Sequence, residues 1–398
     1  MKTKHHCFFL FMLLICWCSV GFAQTQNRVL QGRIIDEKTN EPLPFASIYY
    51  NNSTTGSQSD KDGYFSLPFL GLNVELVVSY VGYETLKFTI NQALDDRTLL
   101  FKLSPMVKTI KEFAISAPRS ETWYKNLDMF IRHVIGGSHF AEDCEILNPE
   151  VLQFFYDTTT LVMSARASDL LKIENKAFGY MITYALIDYR YNVVNREFII
   201  SGYPYFTPMI GTRPQHTRWD RNRQMAYEGS VLHFIRALHQ DSLARAAFEV
   251  RSVKRIPKAN SVDEEKIIAV RNALKQIPYY QAVNKNSPYQ RQLMRAEREQ
   301  YIEKIEPALL PLKAYTSRNS NRLSLRFQDY LMVSFEKTHP YRPEQKVTVV
   351  TYVQLLAPEV KLDRAGLILN PGHIHFEGYW AAQLLGDMLP FDYVPFIH

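Results

Sequence analysis

Cysteine is scarce where it would matter. Of four in the chain, Cys7, Cys16 and Cys18 fall within an apolar N-terminal stretch and only Cys144 lies beyond it. One thiol closes no intramolecular disulfide, which excludes a cross-linked small-domain architecture and leaves packing to hold the fold. No apolar run after Val20 reaches the roughly 20 residues a membrane-crossing helix needs. There is no internal repeat, no low-complexity tract and no G-x-S-x-G nucleophile elbow. A strong charge of one sign is missing as well: 46 Lys and Arg face 40 Asp and Glu, a formal +6.

What is present begins with a secretory pattern. Lys2 and Lys4 precede an apolar run from Cys7 to Val20, and Gly21, Phe22 and Ala23 end it with small residues where a signal peptidase reads. Residues 1–23 are expected to leave as a signal peptide, because Gln24 to Asn27 supply no stop-transfer charges. Lipid attachment at Cys16 or Cys18 is disfavoured by Leu14, Ile15 and Trp17, where that signal wants small residues. Removal of Lys2 and Lys4 leaves +4, a balance that permits an anionic partner, while export argues against nucleic acid. The length, with 46% hydrophobic and 13% aromatic residues, suits about two or three packed domains of 100–200 residues.

From Val29 to Leu103 short apolar-alternating runs are separated by turn residues. Leu86, Phe88 and Ile90 share one face against Lys87 and Thr89, and Leu99, Phe101 and Leu103 repeat the arrangement. Four blocks occur in order: Gly32 to Asp36, Pro42 to Ile48, Gly56 with Ser59 to Phe65, and Val78 to Glu84. Together they resemble the carboxypeptidase regulatory-like (transthyretin-like) domain, in the version carried by exported proteins of Gram-negative bacteria. The resemblance implies an all-β, seven-stranded Greek-key sandwich over 28–104 with no catalytic residues of its own. Residues 105–119 then form a linker, and 120–398 a larger α+β domain resembling the uncharacterised partners of such modules.

In that larger part, Trp123, Leu127, Phe130 and Val134 stand at i, i+4, i+7 and i+11, an amphipathic helix capped by Ser120 or Thr122 and stopped by Gly136-Gly137. Strands are expected within Val151 to Ile200, at Phe248 to Val253, Leu323 to Phe335 and Lys346 to Leu356. Helices are expected from about Met225 to His239, Gln290 to Lys304 and Trp380 to Met388. Such interruption of strands by helices does not fit a transmembrane barrel.

Candidate chemistry is sparse. His139 and Glu142 have the H-x-x-E spacing of zinc carboxypeptidases, but with 11 His in the chain such a spacing arises by chance. His373, His375 and Glu377 alternate, so a strand would turn all three to one face, the best metal constellation available. Asp60 and Asp62 before Gly63 match part of a calcium loop without its remaining ligands; a plain turn explains them. Cys144 follows Glu142 and Asp143, whose charges would raise its pKa. No metal or other cofactor and no catalytic residue is therefore assigned.

Two basic groupings remain. Arg213, Arg218, Arg221 and Arg223 interleave with Trp219, and Arg291, Arg295 and Arg298 lie at helical spacing. Guanidinium forks suit carboxylate and phosphate, and Tyr203, Tyr205 and Phe206 could stack on a sugar. The expected ligand-binding residues are Arg218, Trp219, Arg221, Arg223 and Tyr205. The reading is an exported periplasmic or outer-membrane-associated protein with a non-catalytic binding role towards an envelope glycan, anionic lipid or outer-membrane protein. The alternatives are a hydrolase, either metallopeptidase or glycan-acting, and an assembly subunit of an outer-membrane nutrient transporter.

Overall fold

The computed structural model describes residues 28–91, 98–106, 119–194, 196–257, 264–276, 288, 291, 301–319, 322–339 and 342–396. The expected signal peptide, most of the linker, and Arg295 and Arg298 lie outside the described residues.

Among the described residues the N-terminal part holds the strands β1 (Val29–Asp36), β2 (Ser47–Tyr50), β3 (Gly56–Gln58), β4 (Tyr64–Pro68), β5 (Glu75–Ser79), β6 (Leu86–Thr89) and β7 (Leu99–Leu103). They form a three-stranded sheet, β4-β1-β7, and a four-stranded sheet, β3-β2-β5-β6. Side chains alternate across a strand, so each sheet turns one apolar face inward. Ile34, Leu67 and Phe101 from the first sheet meet Ile48, Leu76 and Val78 from the second in a single β-sandwich core. Tyr50 is buried there too, and its hydroxyl donates to the Pro68 carbonyl at 2.8 Å, which removes the cost of burying it.

The remainder is strand-rich with few helices. A six-stranded sheet comprises β8 (Cys144–Ile146), β9 (Leu152–Asp157), β10 (Val162–Ala167), β11 (Leu171–Asn175), β12 (Tyr180–Asn192) and β13 (Phe198–Pro208). The 13-residue β12 is its axis: it pairs with β13 along its length, with β11 near its start and with β10 near its end. Helix α1 (Glu121–Val134) packs Met129, Phe130 and Val134 onto this sheet, and the Ser120 hydroxyl accepts from Trp123 N at its cap.

Helix α2 (Arg213–Tyr227) and helix α3 (Val231–His239) follow. The first is a correction: the arginine cluster, expected ahead of a helix, forms a helix of its own. Gly229, at φ 76°, breaks it from α3, and Ser230 caps the new start by accepting from His233 N.

A second core gathers Phe234, Ile235 and Leu238 of α3 against an antiparallel sheet in the order β15-β14-β18-β19-β21. Its strands are β14 (Phe248–Pro257), β15 (Tyr301–Ile305), β18 (Tyr330–His339), β19 (Arg342–Leu355) and β21 (Ile374–Gly378). A smaller sheet of β16 (Thr316–Asn319), β17 (Arg322–Leu325) and β20 (Val360–Leu362) lies alongside. Between β14 and β15 the chain inserts α4 (Glu264–Lys275), whose Val270 and Leu274 enter the core of the six-stranded sheet. The helix expected to run to Lys304 is corrected at its end, where Tyr301–Ile305 is strand paired to β14.

The terminal helix is shorter than its expected span to Met388. Helix α5 covers Tyr379–Ala382, and the chain beyond it runs irregularly through two of the three cores. Leu385 N and Gly386 N donate to the Val134 and Ile135 carbonyls at the end of α1, at 3.0 and 2.8 Å. Leu385, Leu389 and Tyr393 join the core of the six-stranded sheet, whereas Phe391 is buried in the sandwich. Tertiary partners outcompete the local helix propensity here.

Candidate functional site

Helix α2 carries four of the five expected ligand-binding residues, but not on one face: Trp219 and Arg223 turn inward and Arg218 and Arg221 are exposed. Its inner side meets the loop between β11 and β12. Trp219 Nε1 donates to Lys176 O at 3.0 Å, Asn222 Nδ2 to Ala177 O at 2.9 Å, and Arg223 Nε to Phe178 O at 2.7 Å. Arg223 also reaches Gly179 O at 3.4 Å. Three consecutive loop carbonyls, of Lys176, Ala177 and Phe178, are thus satisfied by one helix face, while Gly179 O also accepts from Met209 N at 2.9 Å. Arg223 Cζ stands over the Tyr180 ring, 4.1 Å from its centroid, a largely buried cation–π contact.

Trp219 is only 3% exposed. Its indole fills the space left by two missing side chains, since a Cβ at Gly179 (φ 67°) or Gly211 would collide with the ring. The expected flat platform for a ligand is therefore corrected: the ring is spent on the protein's own backbone. Arg218 bonds Asp143 at 2.6 Å and Lys176 O at 3.2 Å, both partners being half-exposed. Arg221 alone of the five stands fully outward, and with the exposed Arg213 it has no ion pair among the described residues.

Tyr205 is elsewhere. It pairs with Thr183, on the opposite sheet face from Tyr180, and stacks on the buried Tyr49 of the sandwich at 5.0 Å. A Cβ on Gly56 would come within 2.7 Å of the Tyr205 ring, so a glycine is needed where the two parts touch. Around it Asn52 N donates to Pro204 O at 2.8 Å, Phe206 N to Ser53 O at 2.9 Å, and Tyr49 OH to Tyr203 O at 3.1 Å. Tyr205 belongs to this contact and is a correction to its grouping with the arginines.

The C-terminal segment completes the junction. The Asp392 carboxylate accepts from Thr54 N at 2.9 Å, Thr54 Oγ1 at 2.7 Å and Thr55 Oγ1 at 3.3 Å, and Phe391 N donates to Asn52 O at 2.7 Å. Arg236 of α3 holds the same segment with two donors, Nη1 to Tyr393 O at 2.9 Å and Nη2 to Phe391 O at 2.7 Å, and ties it to the turn after β20 through Nε to Ala365 O at 2.9 Å. Nothing in the order of residues marked Asp392 or Arg236, because both act on carbonyls and amides distant in sequence.

The metal constellations do not assemble. His373 lies in the turn before β21, so only His375 and Glu377 share its face. Glu377 is bound by Arg255 through both oxygens, at 2.7 and 2.6 Å, and stands 3.8 Å from His375. That fork, with Glu303 at 3.0 Å and the rings of Tyr330 and Tyr352 flanking it, holds the Glu377 carboxyl below its usual range and the Arg255 guanidinium above its own. No group of three or more His, Cys, Asp or Glu able to hold a metal ion occurs among the described residues. Asp60 spends one carboxylate oxygen on Asp62 N and Tyr64 N, with Gly63 at φ 80°, the geometry of a turn.

Three titratable groups carry no mark in the sequence. Lys337 donates to Met225 O and Glu228 O at the end of α2, and to Tyr379 OH at 2.6 Å, so all three of its hydrogens are used; burial brings it down to about 8. Asp387 is pushed up to about 6 by burial, against a Ser138 hydrogen bond and the Lys337 charge. His233 is pushed down to about 4 by burial and then by Arg236, and as a neutral ring its Nδ1 accepts from Gly229 N at 3.2 Å. Cys144 rises to about 12, mainly through burial and then through Asp387 and Asp143, so the thiol is protonated at neutral pH.

No curated protein matches the chain. A solved structure of a protein of unknown function from Bacteroides fragilis NCTC 9343 aligns with 84% of this chain and 92% of its own, at 10% identity and a TM-score of 0.16, values that carry no argument about fold or activity. The N-terminal strands are placed more firmly: residues 30–115 match the family of the CarboxypepD_reg-like domain, and this part of the chain is a carboxypeptidase regulatory-like domain.

Proposed function

We propose that the protein is an exported, non-catalytic component of the cell envelope that binds an anionic glycan or lipid through the outer face of α2. The carrying observation is that Arg221 and Arg213 project from a helix that Trp219, Asn222 and Arg223 anchor to the loop between β11 and β12, with the half-exposed Arg218 paired to Asp143 beside them. A rigid, backbone-anchored helix presents guanidinium groups at low entropic cost, and each can take two oxygens of a carboxylate or phosphate. In this reading residues 1–23 are a signal peptide, 28–104 a Greek-key module, 105–119 a linker and 120–398 an α+β domain. The module is a docked accessory, and export brings α2 to a compartment rich in acidic polymers.

The test is co-sedimentation of the mature chain with purified envelope polysaccharide and with anionic vesicles, at low and high salt. Exposed charges are screened beyond about 8 Å at physiological ionic strength, so salt should release the protein. Arg213→Ala with Arg221→Ala should abolish retention at an unchanged melting temperature. Retention indifferent to both salt and the substitutions would remove α2 from the site.

A further inference from the structure

A cleft lies at the end of the six-stranded sheet, remote in sequence from most of α2. The turn between β9 and β10 supplies Thr159, Thr160 and Leu161; the turn between β12 and β13 supplies Asn192 and Val194; α4 closes the opening with Ile268, Asn272 and Lys275. The cleft holds about 300 Å³. Its walls are set by the fold rather than by loose side chains. Asp157 Oδ1 accepts from Thr159 N at 2.7 Å and its Oδ2 from Thr160 Oγ1 at 2.8 Å, which fixes the first turn and spends the carboxylate inside it. Asn192 Oδ1 accepts from Val194 N at 2.8 Å, and Val193 N donates to Leu161 O at 3.0 Å, tying the second turn to the first. On α4, Val270 and Leu274 are buried in the core, so Ile268, Asn272 and Lys275, at i, i+4 and i+7, are held over the cleft.

We propose that this cleft binds a single sugar ring bearing an acid group, with a hexuronate as the prototype. The volume, at the small end of ligand pockets, accommodates one ring. The exposed Asn272 amide both donates and accepts, as sugar hydroxyls do, while the Thr160 hydroxyl keeps its bond to Asp157. Leu161, Val194 and Ile268 offer apolar contact to ring C–H faces. Lys275, exposed and without an ion pair among the described residues, supplies one positive charge, which suits a single carboxylate better than the several charges of a nucleotide. The site uses no residue of α2, so it stands or falls apart from the reading above.

Saturation-transfer NMR on the full mature chain, with D-glucuronate, D-glucose and acetate as separate probes, decides it. Glucuronate should receive saturation, glucose weakly and acetate not at all. Lys275→Met should weaken glucuronate about tenfold, to the level of glucose, the loss of one exposed charge-assisted contact. Asn272→Ala should weaken both sugars, and neither variant should alter retention on envelope polysaccharide through α2. Acetate binding as well as glucuronate would make this an adventitious anion site and overturn the assignment. So would the absence of transfer to either sugar at millimolar concentration, or transfer unaffected by both substitutions in variants of native melting temperature.

Discussion

Arg236 and Arg221 stand on successive helices, yet the first ends on three backbone carbonyls and the second in solvent. Both are arginines among aromatic neighbours, and their immediate sequences offer no reason to separate them. The difference lies in what each faces. Arg236 points at a chain segment that crosses from one core to another and whose carbonyls have no strand to pair with, so a planar fork with five donors becomes a strut. Arg221 sits on the exposed side of α2, with no hydrogen bond or ion pair among the described residues. Arginine enrichment therefore marks either irregular backbone that needs donors or a surface that meets anions, and burial decides between them.

Arg236→Ala should give the largest effect. Three carbonyls lose a charged donor together, a cost of roughly 3–5 kcal/mol given about 1.5–3 kcal/mol for each charged bond and incomplete additivity. Urea denaturation measures it, and Arg236→Lys should recover only part, because an ammonium cannot span three fixed acceptors. A loss below about 1 kcal/mol would mean that the segment is held by its apolar residues alone.

Asp392→Ala should come next, at roughly 2 kcal/mol for the lost amide and hydroxyl bonds to Thr54 and Thr55. Its signature is more telling than its size. The sandwich should uncouple and melt in a separate transition, and cleavage by trypsin should rise between the sandwich and the rest. One cooperative transition in the variant would show that the contact of Tyr49 with Tyr205 suffices.

The titrating groups divide in a similar way, one buried as a neutral acceptor and one as a costly acid. His233 has a lowered folded pKa, so its contribution is present above its unfolded value of 6.5 and is lost as pH falls towards about 4. Asp387 has a raised folded pKa, so its contribution is present below 3.8 and is lost as pH rises through about 6. Between pH 4 and 6 the two oppose each other. Asp387→Asn should steepen the loss of stability on acidification relative to wild type, and His233→Asn should flatten it, each by about 1–3 kcal/mol across that window. Urea midpoints at pH 7, 5.5 and 4.5 test the signs; shifts of the same sign in both variants would discard this assignment.

Much of the sandwich was legible because strand alternation and turn residues are local signals. Helix α1 was legible for the same reason, its apolar stripe and Ser120 cap lying within one segment. Helix α2 was not: its buried side is Trp219, Asn222, Ala226 and Tyr227, too polar to read as a core face, and its partners are carbonyls of a loop about 40 residues earlier. The charged run ending at Lys304 looked helical because Glu and Lys favour helices, whereas pairing with β14 makes Tyr301–Ile305 a strand. The C-terminal segment resisted for a third reason. Phe391 belongs to a core built by residues some 300 positions earlier, which no local window contains.

The smallest effect on stability should come from Arg221→Ala, and it bears most directly on function. An exposed arginine without a partner contributes within about 0.5 kcal/mol, so the melting temperature should not move. Arg223→Ala, by contrast, removes donors from Phe178 O and Gly179 O and the stack on Tyr180, and should cost about 1–2 kcal/mol. The pair separates strut from contact on a single helix. If α2 meets an anionic polymer, Arg221→Ala weakens retention and lowers its salt dependence while stability is kept. Arg223→Ala should leave retention intact once the variant is assayed well below its own melting point. Should retention follow Arg223 and ignore Arg221, the outer face is bland and the polymer is sensing the loop that Arg223 holds.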